Sequence, residues 1–483
     1  MSHESTTNTD PRYAWRETGK TEPPRRSATE RLSDFFEIYS FLDEETARQQ
    51  AMRCIQCPEP TCVQGCPLNN QIPEWLGLVA DGRFREAAHV LSATSCMEEI
   101  YSRLCSHPCE NACILEGRAE PVAINAIERF LHEYGFTHGV TEVGPVPPNG
   151  KKVAVMNAGP CGLTCAFDLV RAGCQVTVFD HRSRPGGLLV NGIPSFKMEK
   201  ALLERRLALL RKLGVSFQLE VRPGLAPTLA QLLAEYDAVF FGAAVGQVKP
   251  LEIPGAHGPG VHQGLTFIAQ KNVGAPMDTE PIETAGRHVV VLGGGDIAMD
   301  CLRTALRLGA ASATCLYRRE ATHLPANPYE YQNAREEGAR FEFQWTPVAV
   351  LRNDTGMVTH VRCLKTRPGA PEMDGRPAPE PIPGTERDFP ADLVLVAMGF
   401  VSAPFQPVGD LSRIALSPDG RVLVDERLMT NVPGVFAGGT LVRGQTAFLD
   451  AVRDARAAAR FIQEYLHLQP EPRISPGVPP AAS

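Results

Sequence analysis

His288–Ala310 reads HVVVLGGGDIAMDCLRTALRLGA, and the order of residue types in this stretch decides the fold. His288–Leu292 is a short apolar run that suits a buried strand, and Met299–Leu308 repeats apolar residues at helical spacing. Between them Gly293-Gly294-Gly295-Asp296-Ile297-Ala298 matches G-x-G-x-x-A. Glycines so spaced let a backbone turn tightly and bring a helix N-terminus up to a pyrophosphate. The next strand, Ala313–Tyr317, ends in Arg318-Arg319 rather than in an acid. An acid there would repel a 2′-phosphate, whereas a guanidinium pairs with it in bidentate fashion. The turn therefore predicts an NADPH site built from Gly293, Gly295, Asp296, Ala298, Arg318 and Arg319. An ordinary pair of surface arginines is the plainer alternative.

An earlier copy of the pattern lies upstream. Val153–Met156 is a strand, Leu163–Ala172 is helical and Val176–Phe179 is the next strand, which is the βαβ order of a parallel sheet. Its turn reads Asn157-Ala158-Gly159-Pro160-Cys161-Gly162, with Asn where the fingerprint has its first Gly. Asn tolerates positive φ better than other residues with a side chain, so it is the mildest replacement. Gly159 allows backbone approach to a pyrophosphate and Gly162 close helix packing. Asp180 ends the second strand 23 residues beyond Asn157, where an acid hydrogen-bonds an adenosine ribose. Two nucleotide units in one chain predict a flavin site and a nicotinamide site. Further on, Leu393–Val396 reads as a strand, Gly434–Gly439 as a turn region, and Ala447 to about Leu466 as a helix. The Pro-rich tail Gln469–Ser483 is expected to be disordered.

Before both units, residues 1 to about 140 show helical periodicity in Ile72–Val79, Phe84–Leu91 and Ala126–Tyr134. Gly139–Lys152, rich in Gly and Pro, reads as a linker. Seven of the 14 cysteines fall into one set here: Cys54-x2-Cys57-x4-Cys62-x3-Cys66-Pro67, then Cys105-x3-Cys109-x3-Cys113. Iron–sulfur clusters take thiolate ligands, and a Cys-Pro closing such a run is one signature. Structural zinc and unligated core thiols are the competing readings, but seven thiols do not divide well into tetrahedral zinc sites. His107 reads as a loop histidine. Two four-iron clusters need eight ligands, so one is missing from the thiols. Glu128, on the helical segment after the last Cys, is a candidate that spacing alone does not single out. Cys96 has no spacing partner. The other six cysteines, among them Cys161, Cys165 and Cys315, read as small core residues.

Bulk properties narrow the class. The chain has 483 residues, 43% hydrophobic and 21% charged, with a formal charge of −7. A nucleic-acid binder would carry a basic footprint, so none is expected. No apolar stretch is long enough to span a bilayer, and Met1–Arg31 has no apolar signal core. A cytoplasmic location follows as an expectation, and cysteines there are normally reduced.

The chain resembles the small (β) subunit of NADPH-dependent glutamate synthase, and is similar to the N-terminal part of dihydropyrimidine dehydrogenase and the large subunit of NADH-dependent ferredoxin:NADP oxidoreductase. The resemblance rests on RCIQCPEPTCVQGCPLNNQIPEWL, RPGGLLVNGIPSFKMEK, VVVLGGGDIAMDCLRTALRLGA, YRRE, NAREEG, and TNVPGVFAGG with RGQ, and covers about residues 35 to 465. It implies an α/β protein with an N-terminal α-helical iron–sulfur domain (1–145) binding two [4Fe-4S] clusters. Two Rossmann-like domains follow, an FAD domain (151–285 and 391–468) interrupted by an NADPH domain (286–390), before the tail 469–483. Carried over by position, one cluster would use Cys54, Cys57, Cys62 and Cys113, and the other Cys66, Cys105, Cys109 and Glu128. Gly186, Gly187 and Leu188 would line the flavin, and the strand ending at Gly438-Gly439 would return to it. Two departures fall there: Asn157, where the family has Gly, and Thr440, where it has an Asp bonded to the ribityl chain. Losing that charge-assisted bond costs on the order of 1–3 kcal/mol, so FAD binding is expected to be weakened rather than absent. Ala447–Ala451 also differs from the family's apolar pattern.

In the family the large subunit hydrolyses glutamine and reduces the imino acid. Here no Cys precedes Cys54 and no residues remain for a second catalytic barrel. The chain is therefore expected to be an electron-input module in a hetero-oligomer, its partner the large glutamate synthase subunit or another electron-accepting enzyme. An input subunit for a different reductase, and a flavin-weak structural or regulatory subunit, are the alternatives.

Overall fold

The computed structural model describes residues 14–140, 146–242, 246–274, 280–372, 375–401, 404–444 and 448–468. The tail expected to be disordered, and Gln445 and Ala447 of the C-terminal motifs, lie outside these.

The N-terminal region is helical. Ile72–Ala80, Phe84–Thr94 and Ile124–Thr137 each turn an apolar face inward. Trp75, Leu76, Val79, Leu91, Ile127 and Leu131 meet in one core, each at most 1% exposed. Helical periodicity located all three helices because this face is what they bury.

Two parallel sheets follow. In the first, β1 (Lys152–Met156), β2 (Gln175–Phe179), β3 (Ser216–Gln218), β4 (Ala238–Phe241) and β16 (Val435–Ala437) take the order β16-β4-β1-β2-β3. The second runs β6-β14-β7-β8-β9, from β6 (Val261–Gln263), β7 (His288–Leu292), β8 (Ser312–Tyr317), β9 (Arg340–Phe343) and β14 (Leu393–Val396). The strands at the centre of each sheet are covered on both faces, hence their unbroken apolar runs. Because β16 pairs with β4, the first sheet is closed by chain that returns after the whole second sheet has formed. The inserted unit reaches beyond 286–390 at both ends. β6 precedes residue 286, and β14, after residue 390, lies between β6 and β7. Sequence gave no strand signal at β6, which is three residues long.

Two antiparallel features complete the insertion. β10 (Trp345–Arg352), β11 (Val358–Pro371), β12 (Pro377–Pro381) and β13 (Arg387–Pro390) form a hairpin layer centred on β11. β5 (Gln247–Val248) and β15 (Phe400–Val401) pair where the chain passes from one sheet to the other and back.

The NAREEG stretch belongs to a buried charge network. Arg303 donates from Nε and Nη2 to Glu337 at 3.0 and 3.1 Å. Arg307 joins the same carboxylate. Arg31, from the N-terminal segment, pairs with Glu336 at 2.7 Å and bonds Asn333 at 3.1 Å. Arg25 bonds the same two residues, and Lys197 of the first nucleotide unit pairs with Asp300 at 3.1 Å. The network thus joins all three parts of the chain. Removing one partner of such a buried pair costs about 3–5 kcal/mol, because the other charge stays uncompensated. Among the described residues no helix is long and apolar enough to cross a membrane.

Candidate redox-cofactor sites

The seven motif thiols fall into two places. Cys54, Cys57, Cys62 and Cys113 line one small cavity with Leu76, Leu115, Val122 and Ile124. Cys113 is brought there by close contact between the two cysteine loops. A Cβ on Gly65 would lie 2.6 Å from that of Ala112, and the Thr61 hydroxyl donates to the Ala112 carbonyl. Cys66, Cys105, Cys109 and Glu128 form the second group. Burial, and further the charge of Glu128, raises all three of its thiols. Glu128 itself is pushed up to about 8 by burial and then by Glu98 and Glu110. In the first group burial pushes Cys54 up to about 12 and Cys62 to about 11. Buried thiols and a buried carboxyl crowded together disfavour their own anions, and bound iron reverses that balance. Two groups of four donors fit two four-iron clusters.

His107 is the N-cap residue of Pro108–Asn111 with φ of 57°, and its backbone N–H donates to Cys105 Sγ at 3.3 Å. Cys96 is buried and bonds the Tyr101 hydroxyl at 3.2 Å. That hydroxyl also bonds Thr164 Oγ1 at 2.8 Å, across to the first nucleotide unit. The six remaining cysteines are all buried. Sequence did not signal a further buried group, in which Glu98, Glu99 and His132 bring donor atoms within 4.8 Å of one another. Arg206 already serves it as the cation, holding Glu99 at 2.7 and 2.6 Å and Glu98 at 3.1 Å.

At the first nucleotide turn Gly159 is the N-cap of the helix Pro160–Arg171. Gly162 has no room for a side chain, since a Cβ would lie 1.8 Å from the Asn157 carbonyl oxygen. Gly187, at φ of 56°, would put a Cβ 3.1 Å from Gly159 Cα, and Gly439, at 68°, one 3.3 Å from Cys161 Sγ. The turns at 157–162, 186–188 and 439–440 thus converge on one end of the sheet, as an FAD site requires. Asn157 has φ of 83°, the conformation its residue type suggested. Its Oδ1, however, accepts from the Gly159 N–H at 2.8 Å, the amide that this fingerprint offers to a pyrophosphate. Asp180 is buried, and its oxygens accept from Ala158 and Arg182 N–H at 2.7 and 2.9 Å. A carboxylate from elsewhere approaches the Gly439–Thr440 turn. Asp454 accepts from Gly439 N–H at 3.2 Å and is paired in bidentate fashion with Arg443, the arginine of the RGQ motif.

Replacing Asn157 by Gly frees the Gly159 amide for a phosphate. A hydrogen bond to a charged group is worth about 1.5–3 kcal/mol. Asn157→Gly is therefore expected to tighten FAD by about tenfold or more in a flavin-fluorescence titration. Unchanged or weaker binding would show that the Asn amide is no competitor.

At the second turn Gly293 has φ of 130° and packs against Ala397 O, while a Cβ on Gly295 would point into open space. Gly295 caps the helix Asp296–Arg307, in which Ala298 is fully buried. Asp296 Oδ1 accepts from Asn327 N–H at 2.9 Å and pins the following loop beside the turn. The two arginines differ. The Arg318 side chain is 42% exposed and Arg319 only 3%. Arg319 donates to Pro377 O at 2.7 Å and to Glu372 at 2.6 Å. Only Arg318 is open to a 2′-phosphate in this arrangement, and Arg319 braces the hairpin.

Comparison with known proteins agrees with this layout. The family description "dihydropyrimidine dehydrogenase domain II, 4Fe-4S cluster" matches residues 31–140, and "pyridine nucleotide-disulphide oxidoreductase" matches residues 230–459. An NAD(P)-binding Rossmann-like description matches residues 158–192. The glutamate synthase [NADPH] small chain of Halomonas elongata is 41% identical over 464 residues, 93% of this chain and 97% of that one. The Escherichia coli putative oxidoreductase AegA is 39% identical over 92% of this chain and 69% of its own length. The Moorella thermoacetica NADP(+)-dependent formate dehydrogenase subunit beta is 33% identical over 84% of this chain and 60% of its own. Mycobacterium tuberculosis FprA, solved in complex with NADPH, shares the fold with a TM-score of 0.54 at 17% identity, over 67% of this chain and 85% of that one.

Proposed function

Because the chain belongs to the glutamate synthase [NADPH] small-chain family, we propose that it feeds electrons from NADPH through FAD and two [4Fe-4S] clusters to a glutamate synthase large chain. The chain is an NADPH-dependent flavoprotein oxidoreductase with an iron–sulfur domain. When bound, FAD takes an electron pair as hydride and clusters carry electrons singly, so together they join two-electron to one-electron chemistry. The residues divide the remaining work. Gly293, Gly295 and Arg318 hold NADPH. Gly159, Gly162, Gly187 and Gly439 leave room for the flavin nucleotide. Cys54, Cys57, Cys62 and Cys113 hold one cluster, and Cys66, Cys105, Cys109 and Glu128 the other.

One observation carries this reading. Cys105 of the second ligand group, with its neighbours Leu68 and Leu104, packs against the hydrophobic core of the first nucleotide unit. Cys66 and Cys109 of the same group belong to the N-terminal core, as do Cys54, Cys62 and Cys113 of the first group. The second group therefore touches both cores and the first only the N-terminal one, which supports the order flavin unit, second group, first group.

A second reading has support of its own, since AegA and the formate dehydrogenase beta subunit are relatives with other names. An input chain for a different acceptor would look the same up to the last cluster. The two separate when the chain is purified anaerobically from its own cells with whatever it holds. The first predicts a large partner and formation of glutamate from glutamine and 2-oxoglutarate at the expense of NADPH. Dye reduction by NADPH without glutamate formation would favour the second, and a colourless, iron-free chain would defeat both. A cytoplasmic location belongs to the same proposal.

A further inference from the structure

The hairpin formed by β11 and β12 has no part in the phosphate-binding turn, yet it reaches the strand end where the cofactor's adenosine is read. Glu372, next after β11, is tied to the chain before β12 by Gly375 N–H to Glu372 O at 2.9 Å and Glu372 N–H to Arg376 O at 2.8 Å. One carboxylate oxygen of Glu372 lies 2.6 Å from Arg319 Nη2 and 3.9 Å from Arg318 Nη2. The Glu372 side chain is 39% exposed, so it is not sealed into the hairpin. An anion is thus held against the two guanidinium groups that follow β8, where this fold receives the 2′-phosphate.

We propose that Glu372 sets the strength of cofactor discrimination by competing with the 2′-phosphate for these arginines. This rests on the reading of the second turn as the NADPH site. Two like charges cannot share Arg318 at short range without repulsion, and the guanidinium fork can satisfy only one carboxylate or phosphate in bidentate fashion. A 2′-phosphate must therefore bind beside Glu372 or displace it. NADH, with a hydroxyl there, meets no such competition. The chain keeps its preference for NADPH through Arg318 while Glu372 limits its size, which favours release of NADP+ after turnover. Glu372 is a positioning residue that acts through Arg318 and Arg319.

The test uses the full chain and two probes of the adenosine end, 2′,5′-ADP and 5′-AMP, by calorimetry, together with NADPH- and NADH-driven dye reduction. Glu372→Gln keeps the size and hydrogen-bonding capacity of the side chain and removes its charge. It is expected to tighten 2′,5′-ADP by about five- to tenfold, leave 5′-AMP unchanged, and raise the NADPH:NADH ratio of kcat/KM by the same factor. A residue that only braces the hairpin would move both probes together, and that result, or an unchanged ratio, overturns the proposal. Glu372→Asp, with charge retained, should return the ratio towards the starting value. A starting chain that binds 5′-AMP but shows no gain from the 2′-phosphate overturns the NADPH reading itself, and the proposal with it.

Discussion

A Cys113→Ser chain is expected to lose about half of its iron and acid-labile sulfide while keeping its flavin. Ser copies the shape of Cys but supplies a hard oxygen in place of the thiolate that iron–sulfur clusters take. Partners one shell further from a metal are already worth about 10–100-fold in affinity, so loss of a ligand costs at least that. Cys113 is the informative choice because it comes from a loop far in sequence from Cys54, Cys57 and Cys62, and is brought to them by the Gly65–Ala112 contact and the Thr61–Ala112 hydrogen bond. Dye reduction fed directly from the flavin should survive, whereas delivery to the partner should fall by at least about 100-fold. Anaerobic iron and sulfide analysis beside the two assays reads all of this. An unchanged iron content with intact delivery would remove Cys113 from the ligand set.

The second large effect concerns cofactor choice. Arg318→Ala is expected to lower the NADPH:NADH ratio of kcat/KM by about 10–100-fold, since a charge-assisted bond to phosphate is worth about 1.5–3 kcal/mol. Arg319→Ala should act differently. Its guanidinium is buried against Pro377 O and Glu372, so its loss should lower the melting temperature and change the ratio by less. Steady-state kinetics with both cofactors and a thermal melt distinguish the two. Equal losses from both substitutions would mean that the arginines act on the phosphate together, as their adjacency in sequence suggested.

That contrast marks where the sequence stopped being readable. Mainly apolar runs of four or five residues located β1, β2, β7, β8 and β14, because strands covered on both faces carry few polar side chains. The two turns were legible because a helix packed tightly on a strand leaves only glycine a place. Ligand convergence was half legible. Local spacing gave the run from Cys54 to Cys66, but the grouping of Cys113 with three of these and of Glu128 with the others depends on contacts between segments distant in sequence, and came only through resemblance. The hairpin layer was invisible, since β10 to β13 pair antiparallel and carry many polar and proline residues. Arg319 looked equivalent to Arg318 because its partner, Glu372, stands more than fifty residues away. For the same reason NAREEG was recognised as a motif without a role. Its acids answer arginines at positions 25, 31, 303 and 307.

The chain enters and leaves the inserted nucleotide unit through a single gate, the paired β5 and β15. A body joined at one point can swing about that point. Here it is also moored to the first nucleotide unit by Lys197 on Asp300, and to the N-terminal segment by Arg25 and Arg31 on Asn333 and Glu336. Any swing wide enough to separate the two nucleotide units must first slip those moorings. Traffic between the units is thereby geared to the first forty residues, ahead of every cysteine.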